Sequence, residues 1–134
     1  MLFRSCLEAK YPADSTVVVN QSQFLDAFKI TVQKIEFTKF HTRAYVTIEN
    51  ISGNDEYVSD KGVIIQGKKQ FEEMYIFSDY PSISSSIPSG VEEEGYIIYK
   101  PILSKTPFQL IFTGDTTYSG DRYYTNKAIF NINP

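Results

Sequence analysis

The side chains of this chain that could do chemistry are few. One imidazole (His41), one thiol (Cys6) and sixteen carboxylates supply its general bases, sulfur nucleophiles and hard metal ligands. A lone histidine excludes a metal centre built from several imidazoles, and a Ser-His-Asp relay could use only this position. His41 lies in the turn-like stretch Lys39-Phe40-His41-Thr42, with Glu36 and Glu49 the nearest acids and no spacing that fixes a partner. An exposed turn histidine is expected there rather than a general base. The single Cys6 excludes an intrachain disulfide framework and a multi-thiolate zinc site, and reads as an incidental thiol.

The acids gather as Asp55, Glu56 and Asp60; Glu72 and Glu73; Glu92 to Glu94; and Asp115 with Asp121. Calcium takes about six or more oxygen ligands, often from closely spaced loop acids, and none of these runs matches the D-x-[DN]-x-[DN]-G loop. Most read as solvated charge. Asp115 and Asp121 form the candidate calcium pair, because Gly114 and Gly120 permit a tight loop around them; no other cofactor is implied.

Tyrosines are the third group. Tyr118, Tyr123 and Tyr124 gather around Asp121 in one polar segment, and Tyr75 and Tyr80 flank another. Aromatic faces with polar tips give large contact area at small entropy cost, so Tyr118, Asp121, Tyr123 and Tyr124 are the expected ligand-binding residues; the alternative is that the tyrosines fill a strand face or cap a sheet edge. Asn20-Gln21-Ser22 and Asn50-Ile51-Ser52 match the glycosylation acceptor pattern.

The elements that would position these groups read as strands. A chain of 134 residues suits one domain, and ten Tyr and ten Phe with no Trp favour the pleated, half-buried surface of a sheet. Thirteen basic residues against sixteen acidic ones leave a net charge of −3, with no cluster of Lys and Arg among aromatics, so nucleic acid is not an expected partner. Apolar runs such as Val17 to Val19 and Val63 to Ile65 fall far short of the ~20 residues that span a bilayer, and the chain reads as soluble. The residues before Cys6 do not form an export signal.

Residues 1–15 show no lasting period and are expected to form an arm; residues 16–134 form the domain. Thr16 to Asn20 is a β-branched first strand. Phe28, Ile30 and Val32 alternate with polar residues, and Ile35 and Phe37 resume in the opposite phase, which predicts a bulge near Gln33 and Lys34. Arg43 to Ile51 is the clearest alternation in the chain, and Val63 to Phe71 is a hairpin with Gly67 at its tip. Phe71 to Phe77 is another candidate strand. Ser78 to Gly90 reads as a long crossing loop, Tyr96 to Tyr99 and Phe108 to Phe112 as strands, Gly114 to Asp121 as a polar loop, and Ala128 to Ile132 as the last strand. About seven or eight strands at this spacing predict an all-β two-sheet sandwich. Its expected core is Ile30, Val32, Val46, Ile48, Ile64, Ile98, Leu110 and Phe112.

The succession FKITVQKIEF, YVTIENIS, VIIQGKKQF, SGVEEEGYIIYKPI and PFQLIF resembles the immunoglobulin-like domain of unknown function found in bacterial and archaeal exported lipoproteins, related in fold to the mycobacterial immunoprotective extracellular antigen. The resemblance rests on Asn50 with Ser52, on Gly67 and Lys68, and on Gly90 followed by Gly95, Tyr96 and Ile97, and it covers about Val17 to Phe112. It implies an immunoglobulin-like β-sandwich of two packed, mainly antiparallel sheets. It also implies an extracellular or cell-envelope location, and it carries no catalytic residues. The expected function is a non-enzymatic module binding a protein or an envelope component through loops at one end. The alternatives are an assembly subunit pairing through a sheet edge and a small hydrolase or lyase using His41.

Overall fold

Alternating Ala44, Val46 and Ile48 with Tyr45 and Thr47 sends one set of side chains to each face of a strand. The computed structural model, which describes residues 11–58, 60–74 and 82–134, forms that strand as Thr42–Asn50 (β3). It lies inside an antiparallel sheet, between Phe28–Phe37 (β2) and Glu92–Tyr99 (β8), with Ser15–Leu25 (β1) at the far edge beyond β2. The second sheet has the order β10-β9-β5-β6, built from Val63–Gln66 (β5), Lys69–Phe71 (β6), Phe108–Ser119 (β9) and Arg122–Ile132 (β10). A two-residue pair, Glu56–Tyr57 (β4) with Ser86–Ile87 (β7), lies outside both sheets. The chain is an all-β sandwich. Among the described residues its eight layer strands agree with the sequence reading; β7 arises from the segment read as the long crossing loop, and β4 from residues assigned to no element.

The aliphatic faces meet between the sheets. Ile30, Val32, Ile35, Val46 and Ile48 from one layer close on Ile64, Leu110, Phe112 and Phe130 from the other, and the rings of Phe37 and Phe108 meet edge to face at 6.1 Å. Seven of the eight expected core residues are there. Ile98 is buried on the other side of the first sheet, with Tyr45 and Tyr96 beneath Tyr11 and Met74, because β8 turns Ile97 and Tyr99 inward. The predicted bulge is present: the β2–β3 register shifts between Val32 and Lys34, which lets Val32 and Ile35 both reach the core.

Other boundaries move. The first strand runs to Leu25 rather than Asn20, through a bulge at which Asn20 adopts a φ of 48°. The end of the expected arm is fastened, since the Asp14 amide donates to the Phe37 carbonyl and the Tyr11 carbonyl accepts from Arg43; residues 1–10, including Cys6, lie outside the described residues. Of the candidate strand from Phe71 to Phe77, Phe71 ends β6, Glu72 to Met74 lie beyond it, and residues 75–77 lie outside the described residues. Glu73 then bridges to Tyr99 and the Met74 amide donates to the Ile98 carbonyl, so the chain crosses to the first sheet. Tyr75 and Tyr80 lie outside the described residues.

Asn50 ends β3 as a buried hub. Its amide nitrogen donates to the carbonyls of Asn54 (2.7 Å) and Ile87 (2.8 Å), and its oxygen accepts from the amide and hydroxyl of Ser52. The Asn50 acceptor pattern therefore encodes a turn and is closed to glycosylation by full burial. Replacing Asn50 by Ala strands several of these groups, and unfolding in urea is expected to show a loss of about 2–3 kcal/mol. A loss below about 0.5 kcal/mol would contradict this role.

Candidate functional site

Pairing between β5 and β9 ends at Ile111, and among the described residues β9 beyond it pairs only with β10. The two strands continue as a ribbon to the turn Ser119-Gly120-Asp121-Arg122, where Gly120 takes a φ of 63° at the first central position, as a type II′ hairpin requires. The segment from Gly114 to Asp121 is thus strand and tip rather than a loop, because Thr116, Thr117 and Tyr118 oppose Thr125, Tyr124 and Tyr123 and all six suit a pleated strand. Tyr118 and Tyr123 are register partners with ring centroids 4.5 Å apart, and both are about two-thirds exposed. Tyr124, next to Tyr123 in the strand, faces the other side. Two of the three expected tyrosines are brought together, with Asp121 beside them at the tip.

Asp115 and Asp121 do not meet. Asp115 sits at the ribbon base and Asp121 in the turn, with roughly 14 Å of strand between Asp115 and Ser119. The expected calcium pair is therefore not assembled, and among the described residues no three acidic, histidine or cysteine side chains group as metal ligands.

The ribbon base is held by a residue the sequence reading passed over. Asp26 turns β1 into β2 in the left-handed region, with a φ of 53°, and accepts from the Asp115 amide and the Asn126 side chain, each at 2.7 Å. Gly114 makes this approach feasible, since a Cβ there would run into the Asp26 carboxylate and Leu25. Beneath the clamp opens a cavity of about 520 Å³, with Leu25, Ile30, Ile48 and Val58 among its apolar walls and Asp26, Glu56, Asp60 and Asp115 as its acids. Asp60 is held by the amides of Gly62 and Thr113. The one trace of Asp26 in the sequence is a short polar break, Asp26-Ala27, between two strand-like runs.

His41 is elsewhere, and it is not exposed. It is fully buried on the outer side of the first sheet, with its ring 5.4 Å from Tyr11 and its Nε2 3.5 Å from an Arg43 nitrogen. The β2–β3 register sets Glu36 opposite Arg43, and their side chains pair at 3.3 Å; Arg43 also donates to the Tyr11 carbonyl at 2.6 Å. Glu49 lies at the other end of β3. The expectation of an open turn failed because His41 shares a face with Arg43 and Tyr45 that Tyr11 helps to cover. Burial, then the Arg43 charge, hold the imidazole down at about 4, with Glu36 opposing. Burial alone would raise Glu36; hydrogen bonding and charge from Arg43, aided by Tyr96 and Lys34, outweigh it and hold the carboxyl below its usual value. His41 lines none of the described cavities.

The sequence matches no protein-family model and no curated protein. Two solved structures share the fold. One is the candidate lipoprotein ycdA of Bacillus subtilis, with a TM-score of 0.65 and 14% identity over 87% of this chain and 39% of that one. The other is a Listeria monocytogenes protein of unknown function, with a TM-score of 0.63 and 9% identity over 95% of this chain and 91% of that one. This chain spans well under half the length of the Bacillus protein.

Asp26→Ala is expected to speed hydrogen exchange at the Asp115 amide and along the ribbon while core amides of β3 keep their protection; equal acceleration in both would contradict a local clamp. The buried histidine makes stability depend on pH. The unfolded chain protonates His41 near 6.5 and the folded chain only near 4, so stability should fall as pH drops through this window. His41→Gln should flatten the fall, leaving the part due to Glu36, which is lost as pH falls through its lowered value. An unchanged slope would contradict the assignment.

Proposed function

We propose that this protein is a non-enzymatic recognition module, an immunoglobulin-like sandwich of the cell envelope, that takes a positively charged partner through the end bearing the ribbon. The observation that carries this reading is the cavity beneath the Asp26 clamp, lined by four acidic residues together with Leu25, Ile30, Ile48 and Val58, with Glu56 and Asp115 beside the amide-held Asp26 and Asp60. A cationic side chain with an aliphatic stem fits that combination, since the stem buries apolar area and the charge meets the acids. Tyr118, Tyr123 and Asp121 extend the same end outward, and paired phenols with a carboxylate suit cationic groups and flat apolar faces.

The envelope setting is supported by the fold shared with a candidate lipoprotein. The non-enzymatic reading is supported by the placement of the lone imidazole, enclosed beside Arg43 and away from the cavities. Pairing through the β6 or the β8 edge has less support. β6 is three residues long and starts at Lys69, and β8 carries Glu92, Glu93 and Glu94, two devices that discourage edge-to-edge addition.

Titration calorimetry with a lysine-rich peptide tests the proposal. The peptide should bind, more weakly at high salt, with Glu56→Gln and Asp115→Asn each costing about fivefold. Tyr118→Ala should weaken binding without changing the melting temperature, and His41→Gln should leave it unchanged. No binding, or binding indifferent to the acid substitutions, would refute this reading.

A further inference from the structure

The opposite end of the sandwich is built from the reverse chemistry. The β5–β6 hairpin tip, the connector 100–107 and the β2–β3 turn meet there. Gln66 joins the first two by donating to the carbonyls of Leu103 (2.8 Å) and Thr106 (3.0 Å) and accepting from the Leu103 amide (3.1 Å). The Ile102 amide joins the connector to the turn through the Thr42 hydroxyl. Gln66 is itself buried, so the backbone beside Leu103 is fixed by three hydrogen bonds while the leucine side chain is 68% exposed. A groove of about 680 Å³ lies beside it, with Phe71, Pro101 and Ile102 among its lining residues, and Phe40 in the neighbouring turn is 64% exposed.

Lysines stand on the same segments as these apolar groups. Lys68, Lys69, Lys100 and Lys105 lie on the hairpin tip and the connector, and Lys39 lies in the turn. The four acids of the cavity and Asp121 lie at the far end, where Arg122 is the neighbouring cation, while Glu72 is the acid beside Lys100 here, so lysines outnumber acids at this end and acids outnumber cations at the other. Near a negatively charged plane such a distribution turns the lysine end inward and the acidic end outward. Exposed aliphatic and aromatic side chains flanked by lysines are an arrangement by which folds engage the headgroup layer of a bilayer. The apolar tips enter the acyl boundary, the ammonium groups stay with the phosphates, and long lysine stems bridge the two depths.

We propose that this end docks on an anionic lipid bilayer, with Leu103 and Phe40 inserting and Lys68, Lys69 and Lys105 contacting lipid phosphates. The docked orientation points the tyrosine ribbon away from the membrane. Docking is independent of the partner proposed for the acidic end, because the two surfaces share no residue.

Cosedimentation of the full chain with vesicles tests the inference, comparing phosphatidylcholine alone with phosphatidylcholine containing about one-third phosphatidylglycerol. Binding is expected to the anionic vesicles only and to weaken with salt. Lys68→Glu combined with Lys69→Glu should lower it by about tenfold or more. Leu103→Ser, at an exposed position whose backbone bonds remain, should weaken it several-fold with an unchanged melting temperature, and Arg122→Glu at the far end should have no effect. Absence of binding, or equal binding to neutral vesicles, would overturn the proposal. So would indifference to Leu103→Ser, which would mark the lysines as a site for soluble polyanions, and so would an Arg122→Glu loss as large as that of the lysine pair.

Discussion

Both faces of β3 are withdrawn from water, and this constraint decides where charge can sit in the molecule. From Thr42 to Ile48 every residue of the strand is buried. The aliphatic face closes against the second sheet, but the outer face carries Arg43, Tyr45 and Thr47 and needs internal partners. Arg43 finds Glu36 across the strand, the Tyr11 carbonyl and the face of Tyr96, whose ring lies 5.6 Å from the guanidinium. A buried ion pair of this kind adds little net stability, yet removing one member leaves a stranded charge. The His41 imidazole belongs to the same enclosure and is kept neutral by it.

Outside this buried middle, several of the exposed ionisable groups lie toward the two ends. One end combines carboxylates with a tyrosine ribbon, the other lysines with exposed apolar tips. Each end is made rigid by a polar residue that braces a connection. Asp26 ties the β1–β2 turn to the ribbon base, and Gln66 ties the β5–β6 hairpin to the connector before β9. Such bracing would lower the ordering cost of the two proposed contacts, because the side chains stand on backbone that is already fixed.

Much of the fold was legible in the sequence, because strand alternation and turn residues are local. The Val32 to Ile35 phase change announced its bulge, and Gly67 marked its hairpin. The misreadings came from information that is not local. Nothing near Ile98 says which face of β8 meets the second sheet. Gly114 looked like a loop residue because its purpose, close approach of Asp26, belongs to a residue far away in sequence. Asp115 and Asp121 looked like a ligand pair only while the intervening residues were taken for a loop; as strand, they hold the two apart. His41 looked exposed because turn composition does not reveal what covers a turn, although the Glu36–Arg43 pairing follows once the hairpin is centred on residues 38–41. Composition singled out the tyrosine segment, and only the register showed that Tyr118 and Tyr123 share a face without Tyr124.

The central claim is that the sandwich presents two ends of opposite electrostatic sign, and near-surface potentials measured by nuclear magnetic resonance with charged paramagnetic cosolutes test it most directly. A cationic nitroxide should relax the amides around Asp26, Glu56 and the ribbon more than an anionic one, and the preference should reverse at Gly67 to Lys69 and Leu103 to Lys105. Equal relaxation by both probes at the two ends would contradict the account.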